Sequence, residues 1–228
     1  QINLEDRTLA LTKIEASNIA AGAVASSGLI GYTVYTSGDT WSKSTNSPTK
    51  VIVEVVGGGG GSGSGAGNWG FGGGGGSGGY VRKFIDVTSI TSATIVVGAG
   101  GIKNNGTAAG NSSWSDGTNT LTGGSGGNGV NGGTSPTQGA GGTGGTATGG
   151  DMNILGENGL VGNAHNPSYL SSTMLSTGGY GYTRTANTYG SATAGHSYGG
   201  GAAPGRGNDT GVDGADGAAG VVIVWEFA

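Results

Sequence analysis

The chain has 228 residues, 57 of them glycine, with no cysteine, 10% charged residues and a net charge of −4. Glycine is present at roughly three times its usual share, and the nine Lys and Arg are scattered rather than clustered, which argues against a nucleic-acid partner. No apolar run reaches the ~18 residues of a membrane-spanning helix, and without cysteine no disulfide framework exists.

Low net charge, only four prolines and apolar stretches on both sides of the glycine-rich region argue for an ordered chain, because disorder goes with low hydrophobicity and high net charge. Residues 1–31 are ordinary in composition. Leu4, Leu9, Leu11, Ile14 and Ile19 give neither clean helical nor clean strand periodicity. An amphipathic segment packing against copies of itself fits them, and so does a surface helix with a linker. The chain opens at Gln1 without Met or signal peptide, and is expected to be a C-terminal piece of something longer.

Strand signals follow. GYTVYTSGDTW (31–41) alternates and ends in a Ser-Gly-Asp turn signal, and VIVEVV (51–56) is a short apolar run bounded by Pro48 and a glycine block. YVRKFIDV (80–87), TIVVG (94–98) and VVIVWEF (221–227) complete the set. In the last, Val221, Ile223, Trp225 and Phe227 share one face, and Val222, Val224 and Glu226 the other. The natural partner of that terminal strand is VIVEVV, which would bring the two ends of the glycine region together.

The glycines between these strands hold phase. Gly67, Gly70, Gly73, Gly76 and Gly79 step by three, as do Gly123, Gly126, Gly129 and Gly132, then Gly139, Gly142 and Gly145, and finally Gly211, Gly214, Gly217 and Gly220. Three residues per turn is the period of the polyproline-II helix, about 30 Å long for ten residues. Collagen is a poor match, because the runs are short and almost no proline fills the other positions. A flexible linker has no reason to keep phase. Ordering glycine costs roughly 0.5–1 kcal/mol more per residue than ordering alanine, and such helices have no internal hydrogen bonds. Buried amides must still be paired, so the expected arrangement is a lateral bundle in which neighbouring backbones satisfy one another.

Inserts at 102–120, 128–138, 151–177, 180–198 and 203–213 interrupt the phase and read as surface loops that bind. Tyr169, Tyr180, Tyr182, Tyr189 and Tyr198 concentrate there with His165, His196 and Arg184, while Trp114 lies in the first insert and Trp69 and Phe71 in the first glycine block. Tyrosine among Ser, Gly and Asn is the chemistry of paratopes, and aromatics with Arg dominate binding hot spots. Catalysis is not expected. The two histidines sit in loops without an apolar pocket, and no G-x-S-x-G surrounds a serine. Asp209, Asp213 and Asp216 lack the spacing of a calcium loop, so neither a metal nor a cofactor is expected.

GYTVYTSGDTWSKSTNSPTKVIVEVVGGGGGSGSG, GGGGGSGGYVRKFIDV, TIVVGAGG, NSSWSDG and the terminal GADGAAGVVIVWEF resemble the glycine-rich domain at the C-termini of many bacteriophage tail fibres. The alternation of glycine motifs with variable inserts resembles the distal adhesins of T-even-like phages. TKIEASNIAAGAV (12–24) resembles the coiled trimeric segments that precede fibre tips. This resemblance implies a mostly β and irregular fold: a fibre-stem segment (1–31), a β-strand subdomain with the first glycine block (32–98), a sandwich of polyglycine-II helices with variable loops (99–220) and a returning C-terminal strand (221–228). It implies a virion protein at the distal end of the fibre, homotrimeric through its stem, that binds a bacterial surface protein or polysaccharide and sets host range. The alternative is an ice-binding or purely structural glycine-rich protein on the same scaffold.

Overall fold

A computed structural model describes residues 28–66, 70–133, 137–162, 192–204 and 211–228. The strands are β1 (Leu29–Tyr35), β2 (Asp39–Ser42), β3 (Lys50–Val56), β4 (Tyr80–Asp86), β5 (Ser92–Val96), β6 (Ser112–Ser115), β7 (Thr120–Gly123), β8 (Ala147–Thr148), β9 (Met152–Ile154) and β10 (Val221–Phe227). They form two five-stranded antiparallel sheets, ordered β1-β10-β3-β4-β9 and β2-β5-β6-β7-β8. Among the described residues there is no helix.

Alternation decides which side chains meet between the sheets. Val51, Val53, Val55, Val81, Ile85, Val222 and Val224 from the first sheet pack on Trp41, Ala93, Ile95, Trp114 and Leu121 from the second. The C-terminal strand pairs with VIVEVV as its sequence predicts, Val224 facing Val53, and also pairs with β1 on its other side. The two faces of β10 separate as expected: Val222 and Val224 are fully buried, while Trp225 stacks on Tyr32 at the outer surface, ring centroids 5.1 Å apart.

Three sequence expectations require correction. The insert 102–120 is not a loop throughout: Ser112–Ser115 and Thr120–Gly123 form a hairpin of the second sheet. Asp116 accepts from the Thr118 and Asn119 N–H groups at 2.7 and 2.6 Å, and Gly117 takes φ +91° to close the turn. The division at residue 98 also fails as a boundary, because β6 to β9 return to the sheets from within 99–220. Residues 29–31, placed in the stem by the sequence, belong to β1; the rest of that segment, 1–27, lies outside the described residues.

Between strands the chain leaves the sheets as extended glycine-rich runs at 57–66, 70–79, 97–102, 124–133, 137–146, 155–162 and 211–220, and as two arms joined by a turn at 192–204, where Thr193 and Ala203 exchange bonds. These runs bond laterally at three-residue intervals. Gly57, Gly60 and Gly63 donate to the carbonyls of Gly79, Gly76 and Gly73, while Gly59, Ser62 and Gly65 donate to those of Ala218, Ala215 and Val212. The carbonyls of Gly58, Gly61 and Ser64 accept from Gly126, Gly129 and Gly132. Run 70–79 behaves likewise: Gly73, Gly76 and Gly79 donate to Val130, Gly127 and Gly124, and Phe71, Gly74 and Ser77 accept from Gly139, Gly142 and Gly145.

Glycine content follows from how many neighbours a run has. Runs 57–66 and 70–79 are bonded by other runs on every side, and their sequences, GGGGGSGSGA and GFGGGGGSGG, are glycine or serine at almost every position. Run 137–146 bonds to 70–79, 124–133 and 155–162, and keeps glycine at two positions in three. Among the described residues the backbone of run 155–162 bonds to 70–79 and 137–146, and it keeps glycine at one position in three, Gly156, Gly159 and Gly162. A methyl group on Gly60 would collide with the backbone of Gly127, whereas Ala140 points to solvent. Where no backbone carbonyl reaches an amide, asparagine supplies the acceptor: Asn128 Oδ1 for Gly61, Asn131 Oδ1 for Ser64 and Asn158 Oδ1 for Gly144, at 2.9, 2.9 and 2.7 Å.

Candidate functional site at the end opposite the sheets

The runs have two unlike ends. At one, Val56–Gly57, Gly79–Tyr80, Gly123–Gly124, Ile154–Leu155 and Gly220–Val221 pass directly into strands. At the other, Ala66 lies beside Gly70, Gly133 beside Thr137, and Gly162 beside Gly139.

Backbone bonds hold these junctions together. Gly70 donates to Ala66 at 3.1 Å, Gly139 to Phe71 at 2.8 Å, Gly162 to Gly139 at 3.0 Å, and Gly65 and Val212 exchange bonds at 2.8 and 2.9 Å. The residues that carry the intervening segments are therefore fixed by the same lateral pairing that builds the runs.

A further turn, 103–106, closes the end of run 97–102. Lys103 Nζ lies 3.2 Å from Asp213 Oδ2 and the Lys103 N–H donates to Asp216 Oδ1 at 2.8 Å. Asn104 donates to Asp213 Oδ1 at 3.2 Å and accepts from the Gly214 N–H at 2.8 Å. Hydrogen bonds from Lys103 and Asn104, with the lysine charge, hold the Asp213 carboxyl below its ordinary pKa. Asp213 and Asp216 thus serve to pin this turn. Among the described residues no cluster of His, Asp or Glu could hold a metal ion, and Asp209 lies outside them. Sequence reasoning did not single out Lys103 and Asn104; the signal was Asn105-Gly106, a turn signature.

The sequence-predicted contact residues separate into groups. Trp69, His165, Tyr169, Tyr180, Tyr182, Arg184 and Tyr189 lie outside the described residues, within 67–69 and 163–191; Ala66, Gly70 and Gly162, which flank these segments, are at this end. Phe71 stands at the same end but is buried, where it fills the first turn of its run. Trp114 is a correction: it is 0% exposed and packs against Trp41 in the core between the sheets, ring centroids 6.4 Å apart, because its strand turns that face inward. His196 and Tyr198 are exposed, but the turn that carries them points back toward the sheets, with Gly199 donating to Ala219 and accepting from Gly78. The structure does not bring them together with the end opposite the sheets.

Two face-to-face antiparallel sheets from which laterally bonded glycine runs project define a glycine-rich β protein. The chain belongs to the glycine-rich domain family, whose profile it matches over residues 33–225. No match was found among curated proteins.

Proposed function

We propose that the runs are polyglycine-II helices packed as a bundle, and that the chain is the tip of a bacteriophage tail fibre. In this reading the segments carried at the end opposite the sheets bind a surface protein or polysaccharide of the host bacterium. The observation that supports it is that Ala66, Gly70, Gly133, Thr137 and Gly162 lie at one end of the runs, with the strand-to-glycine junctions at the other. Backbone pairing holds the runs without help from the intervening side chains, so those segments can differ in length and sequence at little cost in stability.

The longest of them, 163–191, contains Tyr169, Tyr180, Tyr182, Tyr189, His165 and Arg184. Tyrosine gives large contact area with few rotatable bonds, and the surrounding Ser, Thr, Asn and Gly supply adaptable hydrogen bonds. The role is binding rather than chemistry, and it needs no metal or cofactor. Carriage by a fibre, with three chains joined through residues 1–27, rests on the resemblance of 12–24 to coiled stem segments.

The test is to replace residues 163–191 with an unrelated insert and measure adsorption to a panel of bacterial strains. The reading expects the set of bound strains to change while the melting temperature stays the same. Unchanged adsorption would remove this segment from the receptor site.

A further inference from the structure

The two sheets present opposite chemistries to the outside. On the second sheet the outward positions are mostly hydroxyl side chains: Thr40, Thr94, Ser115 and Thr120 align in one cross-strand row, and Ser113, Thr122 and Thr148 in the next, with Val96 as its apolar member, 47% exposed. That is the polar outer face an antiparallel sheet shows to water. On the first sheet the apolar outward positions are Tyr32 and Val34 in β1, Ile223, Trp225 and Phe227 in β10, Ile52 in β3, Phe84 in β4 and Met152 in β9, with Lys50, Glu54, Arg82 and Asp86 among them. Tyr32 is 63% exposed, Phe84 52%, Met152 45% and Val34 43%. An outer face this rich in large apolar side chains marks an interaction surface.

We infer that this face packs against a second copy of the same chain. The polar atoms at its centre are already paired within it. Glu54, at its centre, accepts from Trp225 Nε1 at 2.8 Å through one oxygen and from the Tyr80 hydroxyl through the other. Covering the face would therefore strand neither indole nor carboxylate. Its charges also balance, Lys50 and Arg82 against Glu54 and Asp86, although the whole chain carries −4. Two like faces can meet only where net charge is small, whereas a strongly charged partner would call for an unbalanced surface.

Position points the same way. The 27 residues before Gly28 enter the fold through β1, the edge strand whose Tyr32 and Val34 lie on this face. If copies are joined through those residues, as proposed above, β1 is the strand of the fold next in sequence to the join. Four strands of seven residues and one of three span roughly 500 Å² in plan, so two copies would remove about 1,000 Å² from water, the lower bound for a specific interface. This inference rests on self-association and not on receptor binding, so either can fail without the other.

Sedimentation velocity on the full chain over a concentration series tests it, with Tyr32→Thr, Val34→Thr, Phe84→Thr and Met152→Thr combined to give the face the chemistry of the other sheet. The expected result is a self-associating wild type and a variant whose association is weaker by about 100-fold or more. Replacing Thr94 and Thr122 with Lys on the other sheet should leave association unchanged. Should the combined variant misfold, hydroxyl-radical footprinting of the wild type decides: Tyr32, Phe84 and Met152 are protected in the associated fraction and reactive after dilution to monomer. A wild type that stays monomeric, a folded variant that associates as well as wild type, or protection that persists in the monomer would overturn the inference.

Discussion

Trp41 and Glu226 tie the beginning of the fold to its end: the indole Nε1 in β2 donates to Glu226 Oε1 in β10 at 2.9 Å, in a buried contact 185 residues apart in sequence. Glu226 occupies the inward face of its strand, where Val222 and Val224 also lie, and is the charged group at the edge of that core. Replacing Glu226 with Ala leaves a buried indole donor unsatisfied, which costs about 1–3 kcal/mol. Glu226→Gln keeps an acceptor and should lose less. Urea denaturation of the two variants checks the order.

The glycine runs give a positional rule. Gly60→Ala puts a methyl group into the backbone of Gly127, and neither backbone can move without breaking its own lateral bonds; the expected loss is about 3 kcal/mol or more. Ala140→Val, on the exposed third of a peripheral run, should change stability by less than about 0.5 kcal/mol. Thermal unfolding compares them, and equal losses would contradict the rule.

Much of the fold was legible in the sequence. The triplet phase of Gly126, Gly129 and Gly132 reappears as a row of donors to Gly58, Gly61 and Ser64, and the pairing of β10 with β3 followed from their apolar content. The hairpin of β6 and β7 was hidden because SSWS and TLTG offer one large apolar residue each, Trp114 and Leu121, too little for a periodic signal. Trp114 read as a contact residue for the same reason: an aromatic in a polar stretch does not reveal which way its strand faces. The interior position of runs 57–66 and 70–79 was written in their glycine content but needed the neighbours to interpret it. The end opposite the sheets could not be read at all, since it depends on how the runs stack.

The Asp116 turn should be pH-dependent. Burial pushes this carboxyl up, but hydrogen bonds from the Asn119 side chain and from the Asn119 and Thr118 backbone outweigh it and lower the pKa. A carboxylate lowered in the fold contributes stability above its unfolded pKa of about 3.9 and loses it as pH falls through the folded value. Asp116→Ala should therefore cost about 1 kcal/mol at neutral pH, and the gap from wild type should close in acid. A gap that persists at low pH would assign the effect to packing instead.

Tyr80 provides the alkaline counterpart. Burial, then its hydrogen bond to Glu54 and the Glu54 charge, raise its pKa well above 10. The folded state therefore keeps the proton that the unfolded chain releases, so the contribution is complete below about pH 10 and is lost as pH rises toward the folded pKa. Melting temperature measured from neutral pH to pH 11 should fall more steeply for wild type than for Tyr80→Phe. Parallel curves would contradict the assignment.

The central claim is that glycine backbones lying side by side satisfy one another's amides and so hold the end opposite the sheets. Hydrogen exchange of the Gly60, Gly76 and Gly127 amides tests it most directly. The account predicts that they exchange only with cooperative unfolding, on the order of ten-thousand-fold slower than free peptide. Exchange at free-peptide rates, while the amides of Val53 and Val224 remain protected, would contradict it.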